Sequence, residues 1–103
     1  FFLHISKEEQ RKRLEERMND PSKQWKASES DITERKLWNN YTVAYQDIIN
    51  RCSNLWAPWY IIPANKKWFR NLVVALVIVD TLERMKPKFP KPTINLSKMT
   101  IDI

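Results

Sequence analysis

Residues 57–71 read APWYIIPANKKWFRN, and the way this stretch folds decides the architecture of the chain. Trp59 to Ile62 is a run of aromatic and β-branched residues stopped by Pro63, and an apolar helical pattern opens at Trp68. The spacing predicts a strand, a tight loop and a helix. In open α/β sheets ligands collect beyond the carboxyl ends of the strands, where a helix N-terminus presents free N–H groups and a positive dipole end. Asn65, Lys66, Lys67 and Arg70 fall at that place, so the loop is the first candidate for meeting an anion.

Downstream, the pattern from Trp68 to Met85 contains LVVALVIV, which has β propensity, but 18 residues is too long for an ordinary strand. Asp80, Glu83 and Arg84 then resume helical spacing, so a buried helix, apolar nearly all round, is expected there. Pro87, Pro90 and Pro92 end it, and residues 87–103 read as a Pro-rich tail, extended or disordered. Upstream, a long helix is expected from a cap at Ser28 or Ser30 to about Cys52. Ile32, Trp38, Tyr41, Ala44, Tyr45, Ile48, Ile49 and Cys52 recur at spacings of three and four and form a core-facing stripe. Cys52, the single cysteine, is read as a buried, inert thiol that excludes an internal disulfide.

Phe1 to Ile5 is apolar at nearly every position, as in a parallel strand covered on both faces. Ser6 and Glu9 make an S-x-x-E capping box for a helix from Lys7 to about Met18, with Glu8–Lys12 and Glu9–Arg13 pairs at i,i+4. Asp20-Pro21 breaks that helix. The following SKQWKASESD is polar around Trp25, and reads either as a loop pinned to the core by one aromatic or as a mobile flap over a ligand. The order is therefore β-α-flap-α-β-α, and strands separated by helices point to a parallel sheet with right-handed crossovers. Two strands and three helices do not cover both faces of a sheet, so residues 1–86 are expected to be part of a larger α/β domain, a helix-rich fragment entered at Phe1 in a buried strand.

Composition narrows the chemistry. The 103 residues carry 18 Lys and Arg against 12 Asp and Glu, a formal charge of +6. A polyanionic partner follows from that balance, although many basic domains are charged only for solubility. Glycine is absent, against an average usage of about 7%. Both glycine-dependent phosphate loops, GxxxxGK[ST] and GxGxxG, are thereby excluded from these residues. The apolar run Leu72 to Val79 is eight residues long, short of the roughly 20 needed to span a bilayer. A cytoplasmic protein with no membrane partner is expected.

No catalytic site assembles from these residues. His4, the only histidine, is read as a packed core residue, no Cys/His cluster suits zinc, and the acidic pairs Glu8-Glu9 and Glu15-Glu16 lie on a solvated helix. What remains is basic: Lys23, Lys26 and Arg35 in or beside the flap, and Lys66, Lys67 and Arg70 at the central loop. Folding the flap over the strand ends would bring the two sets together on a chain of phosphates. A non-enzymatic basic helical module that binds nucleic acid or a protein is the rival. A nucleic-acid surface needs a continuous basic face, yet Lys7 to Arg17 alternates with Glu, which favours phosphate transfer and no nucleic acid.

The segments FFLHISKEEQRKRLEER, DPSKQWKASESDITERKLWNNY, WAPWYIIPANKKW and PKFPKPTINLS resemble, in that order, the C-terminal half of the family-2 polyphosphate kinases. The resemblance implies a P-loop kinase-like three-layer α/β/α fold. It also implies phosphoryl transfer between inorganic polyphosphate and a nucleoside mono- or diphosphate (ADP/ATP or GDP/GTP), with Mg2+ as cofactor and an assembly of identical chains. It places the glycine-rich loop and the magnesium-binding acids before Phe1, leaving no metal ligand here and an inactive chain in isolation. Residues 20–36 correspond to the family's lid. Matched singly, Lys23, Lys26, Arg35, Lys67 and Arg70 would bind phosphate, and Ala64 and Asn65 would lie near the nucleotide. Asn39, Asn40, Asn65 and Ala27 depart from the family pattern, which leaves the choice of nucleotide open.

Overall fold

The computed structural model of the protein describes residues 1–102. Strands β1 (Phe2–His4) and β2 (Ile61–Pro63) pair in parallel, with Phe2 beside Ile61, Leu3 beside Ile62 and His4 beside Pro63. The Phe2 amide donates to Tyr60 O at 2.8 Å and the Ala64 amide to His4 O at 2.7 Å. Alternate residues of a parallel strand face a given neighbour, so on β2 the even-numbered residues bond to β1 and Pro63 turns to the outer edge. Its missing N–H takes nothing from the pair there. Both strands are shorter than expected, because a two-stranded sheet is paired only where its strands overlap.

Helix α1 (Lys7–Asn19) follows β1, then a 3-10 turn at Gln24–Lys26, then α2 (Glu29–Arg35), α3 (Trp38–Cys52), β2 and α4 (Lys67–Met85). Half of the expected capping box opens α1: the Glu9 amide donates to Ser6 Oγ at 3.1 Å. The other half is replaced. The Ser6 amide donates to Asn65 Oδ1 at 2.9 Å, and the Glu9 carboxylate accepts from Arg13 Nε at 3.1 Å. The expected Glu9–Arg13 pair is thus present, while Arg11 pairs with Glu15 at 2.9 Å where a Glu8–Lys12 pair was expected. A complete capping box does form at Ser28 and Asp31, which makes Ser28 the cap of α2.

The single long helix expected to reach Cys52 is divided. The Lys36 amide donates to Thr33 O at 3.2 Å and the Leu37 amide to Glu34 O at 2.9 Å, so two i→i−3 bonds interrupt the i→i−4 ladder. Thr33 Oγ1 back-bonds to Ser30 O at 3.2 Å, a contact that bends helices. At the far end of the chain α4 stops at Lys86, which takes a left-handed conformation with φ 49° and ψ 54° immediately before Pro87. Beyond it the only regular piece among the described residues is a 3-10 turn at Leu96–Lys98.

The alternation of β1 places the helices on opposite faces of the sheet. Phe2 lies 4.6 Å from Tyr45 of α3, ring to ring, and His4 and Ile61 share that side with Tyr41 and Trp38. Phe1 and Leu3 share a cleft with Arg70 and Val74 of α4. Burial is slight nonetheless: among the described residues only Ile62 and Ala64 are buried, each 2% exposed. The accessible surface is 9512 Å², where a compact protein of this mass has about 6,100 Å². The radius of gyration is 22.5 Å against about 13 Å for a compact chain of this length. Several expectations of burial fail for this reason. His4 is exposed, Cys52 is exposed, and neither the α3 stripe nor α4 contains a buried residue. The apolar faces exist as read, but little of this chain packs against them.

Candidate functional site

The carboxyl ends of both strands open onto one place, where the β1–α1 and β2–α4 connections meet. A cleft of about 420 Å³ there is lined by His4, Ser6, Ala64, Asn65, Lys66 and the ring pair of Trp68 and Phe69. These two rings meet edge to face with centroids 5.7 Å apart. Ala64 is held by the last rung of the sheet, and Asn65 faces back across to α1, its Nδ2 lying 3.4 Å from Ser6 Oγ. Arg13 reaches the same loop from α1, with Nη2 donating to Ala64 O at 2.9 Å and to Asn65 O at 3.0 Å. Lys66 precedes the first turn of α4, which has no side-chain cap, and Lys67 opens that turn. A helix N-terminus with uncapped amides and adjacent lysines is suited to an anion.

Arg70 stands one turn further along α4, its Nε donating to Asn71 Oδ1 at 3.1 Å, in the cleft beside Phe1 and Leu3. The α4 positions are therefore divided between the strand-end cleft and the opposite face of the sheet. Lys23 and Lys26 lie at the 3-10 turn between α1 and α2. Lys23 is 3.8 Å from Asp20, and Lys26 Nζ lies 5.2 Å from the centroid of the Trp25 ring. Trp25 is 78% exposed, and its Nε1 donates to Ser22 O at 3.0 Å, so it does not pin the loop to a core. Arg35, at the end of α2, is half-buried and turned toward α1, where Nη1 donates to Lys7 O at 2.7 Å and to Gln10 Oε1 at 3.0 Å. Lys23 lines a groove with Lys12, Glu15 and Glu16 that is separate from the strand-end cleft.

Three carboxyl groups shape this segment. The Ser22 hydroxyl and amide donate to Asp20 at 2.7 Å and 3.0 Å, which holds the Asp20 carboxyl below the usual carboxylate range. Glu34 accepts from the Tyr41 hydroxyl across the α2–α3 break, and this bond raises the Tyr41 phenol above its ordinary value. Asp31 joins α2 to α1 by accepting from Arg17 at 3.4 Å.

The match to known proteins is specific. Residues 1–90 fit the family model described as polyphosphate kinase 2. The chain belongs to the polyphosphate kinase 2 family. It is 47% identical over 102 residues to the AMP/ADP-polyphosphate phosphotransferase of Meiothermus ruber, an alignment that takes in 99% of this chain and 38% of that protein. Identity to the ADP-polyphosphate phosphotransferase of Rhodopseudomonas palustris is 43% over 93 residues, 90% of this chain and 32% of that one. The crystal structure of polyphosphate kinase 2 from Arthrobacter aurescens TC1 superposes with a TM-score of 0.84 at 41% identity, over 92% of this chain and 34% of that chain. This member of the family thus spans about a third of the length of those relatives.

Its α/β architecture, helix-rich with a small parallel sheet, is the architecture of the matching portion of that crystal structure. Among the described residues no group of three or more His, Cys, Asp and Glu side chains is placed to hold a metal ion. The basic set at the strand ends is not a donor set for magnesium, so these residues alone do not fit a magnesium site. No helix of the described residues is long and apolar enough to cross a membrane. Sequence reading missed Arg13 as a link to the central loop, because its spacing signals only the local pair with Glu9.

Proposed function

We propose that this chain serves polyphosphate:nucleotide phosphotransfer, with inorganic polyphosphate on one side and a nucleoside mono- or diphosphate on the other. The observation that carries the reading is the family match over residues 1–90, and the names of the Meiothermus and Rhodopseudomonas relatives support AMP or ADP as the acceptor class. In the transfer, the bond between the terminal phosphorus of polyphosphate and its bridging oxygen breaks. A bond to the acceptor's terminal phosphate oxygen forms, and the bridging electron pair stays on the shortened chain. Such a transfer depends on alignment and charge neutralisation more than on covalent chemistry.

In this reading Lys67, beside the uncapped first turn of α4, and Arg70 bind phosphates, Ala64 and Asn65 border the nucleotide, and Lys23, Lys26 and Arg35 act from the lid at residues 20–36. The exposure of Lys23 and Lys26 supports the role, since lysines at that turn are free to meet a polyanion arriving from solvent. The finer fold is P-loop kinase-like with three α/β/α layers; the placement of α3 and α4 on opposite faces of the sheet agrees with it. Residues 1–86 are the kinase portion, 87–103 a tail, and the setting is cytoplasmic with identical chains assembling. With no glycine among its residues, the 103-residue chain by itself does not turn over.

The test follows ATP formation from polyphosphate, magnesium and ADP, using the full-length polypeptide that carries these residues. Activity is expected, and Lys67→Ala lowers kcat/KM at least tenfold, about 1.4 kcal/mol of transition-state stabilisation. An inactive wild-type protein rejects the functional reading, and unchanged kinetics in the variant reject the role of Lys67.

A further inference from the structure

Four hydrogen bonds join segments that lie more than fifty residues apart. Arg13 Nη2 donates to Ala64 O and Asn65 O, the Ser6 amide donates to Asn65 Oδ1, and Asn65 Nδ2 reaches Ser6 Oγ. The ring is completed inside α1, where Glu9 holds Arg13 Nε and the Glu9 amide donates to Ser6 Oγ. We infer that Arg13 and Asn65 form a clasp that positions the β2–α4 loop, and with it Lys66, Lys67 and the first turn of α4, for phosphate binding at the strand ends.

The capping box of α1 is half displaced. An S-x-x-E sequence ordinarily satisfies the cap amide with its own glutamate. Here Asn65 takes that amide and the glutamate is turned to the guanidinium, so one local bond of the box is exchanged for a link between the two loops that build the cleft. The arginine is suited to the task for a geometric reason. A guanidinium offers several N–H groups in a fixed plane, and one face of it meets Glu9 while Nη2 is shared between two successive carbonyls. A lysine carries the charge but not the fork. The side chains of Arg13 and Glu9 are 27% and 23% exposed, so the pair is partly shielded from the solvent that weakens surface ion pairs. Asn65 accordingly acts through the loop and through Ser6, and the order of the loop precedes any contact it makes with a nucleotide.

The inference rests on the phosphotransfer reading for its consequence but not for its geometry, and the test separates the two. Amide hydrogen exchange is measured on the full-length protein and on Arg13→Gln, Arg13→Lys and Asn65→Ala, alongside steady-state kinetics with polyphosphate and ADP. Arg13→Gln is expected to speed exchange at least tenfold at the amides of residues 64–69 while the second half of α4 keeps its protection. It should also lower kcat at least tenfold, with Arg13→Lys recovering little of either, and adding Asn65→Ala to Arg13→Gln should cost less than the sum of the two. Unchanged exchange at residues 64–69 in both Arg13→Gln and Asn65→Ala overturns the clasp. So does a complete rescue by Arg13→Lys, which would assign the residue a charge role. If Arg13→Gln loses protection along the whole chain, Asn65→Ala, which leaves the ion pair intact, decides by the same local exchange criterion. Wild-type protein without phosphotransfer rejects the functional reading, and the exchange data then judge the clasp alone.

Discussion

Arg35 and Asp20 show what single side chains do in residues 20–36. Arg35 stands where the sequence pattern expects a phosphate-binding residue, yet its Nη1 is engaged with Lys7 O and Gln10 Oε1 of α1. Arg35→Ala removes brace and charge together, so on the phosphotransfer reading kcat/KM with polyphosphate is expected to fall at least tenfold in the full-length polypeptide. Arg35→Lys, which keeps the charge, should recover less than half of that loss in logarithmic terms; full recovery in steady-state assays would reduce the brace to an incidental contact. Asp20 makes a prediction in pH. Its carboxyl is held low by the Ser22 hydroxyl and amide, so the folded turn favours the ionised form. That contribution is complete above the unfolded carboxylate value and is lost only as pH falls through the lower, folded one. Trp25, whose Nε1 donates to Ser22 O, reports the change. Its emission should hold steady from neutral pH down through the ordinary carboxylate range and shift below it, and Asp20→Asn should flatten that acid transition.

Among the elements, α1 and α4 were legible to within a residue of their observed starts and ends, because capping residues, helical spacing and Pro87 are local signals. The break between α2 and α3 was not. The apolar spacing runs across it unbroken, while the cause is a back-bonding threonine and an arginine drawn toward α1, neither of which periodicity registers. The end of α4 has its own weakness. Lys86 sits in the left-handed region at φ 49°, a conformation that costs an L-residue roughly 1–2 kcal/mol and that glycine adopts freely. Glycine's greater freedom when unfolded offsets roughly 0.5–1 kcal/mol of that. Lys86→Gly is expected to stabilise by about 0.5 kcal/mol on this balance, read as a raised midpoint in thermal unfolding followed by circular dichroism. A lowered midpoint would show that the lysine side chain, and not its backbone, matters at this cap.

For the whole molecule the decisive quantity is the surface. An accessible area of 9512 Å² exceeds that of a compact protein of this mass by about 3,400 Å², and Leu72, Leu76, Val79 and Leu82 of α4 remain exposed. An exposed apolar stripe of this kind is covered by other polypeptide or drives association. The 103 residues alone are therefore expected to elute from gel filtration well above 12.4 kDa and to bind a hydrophobic dye; a dye-negative monomer would contradict this. The sequence by itself determined α1, α4, the helical character of residues 29–52 though not its division, the two strands, the place where loops and lysines meet, and the family. These follow from propensity, capping and motif, which act within a few residues of chain. Only the tertiary structure decided which apolar faces are covered, that Arg35 turns to α1, and that Arg13 and Asn65 fasten the strand-end loop to the start of α1. Those outcomes depend on contacts between residues far apart in the chain, which no local pattern encodes.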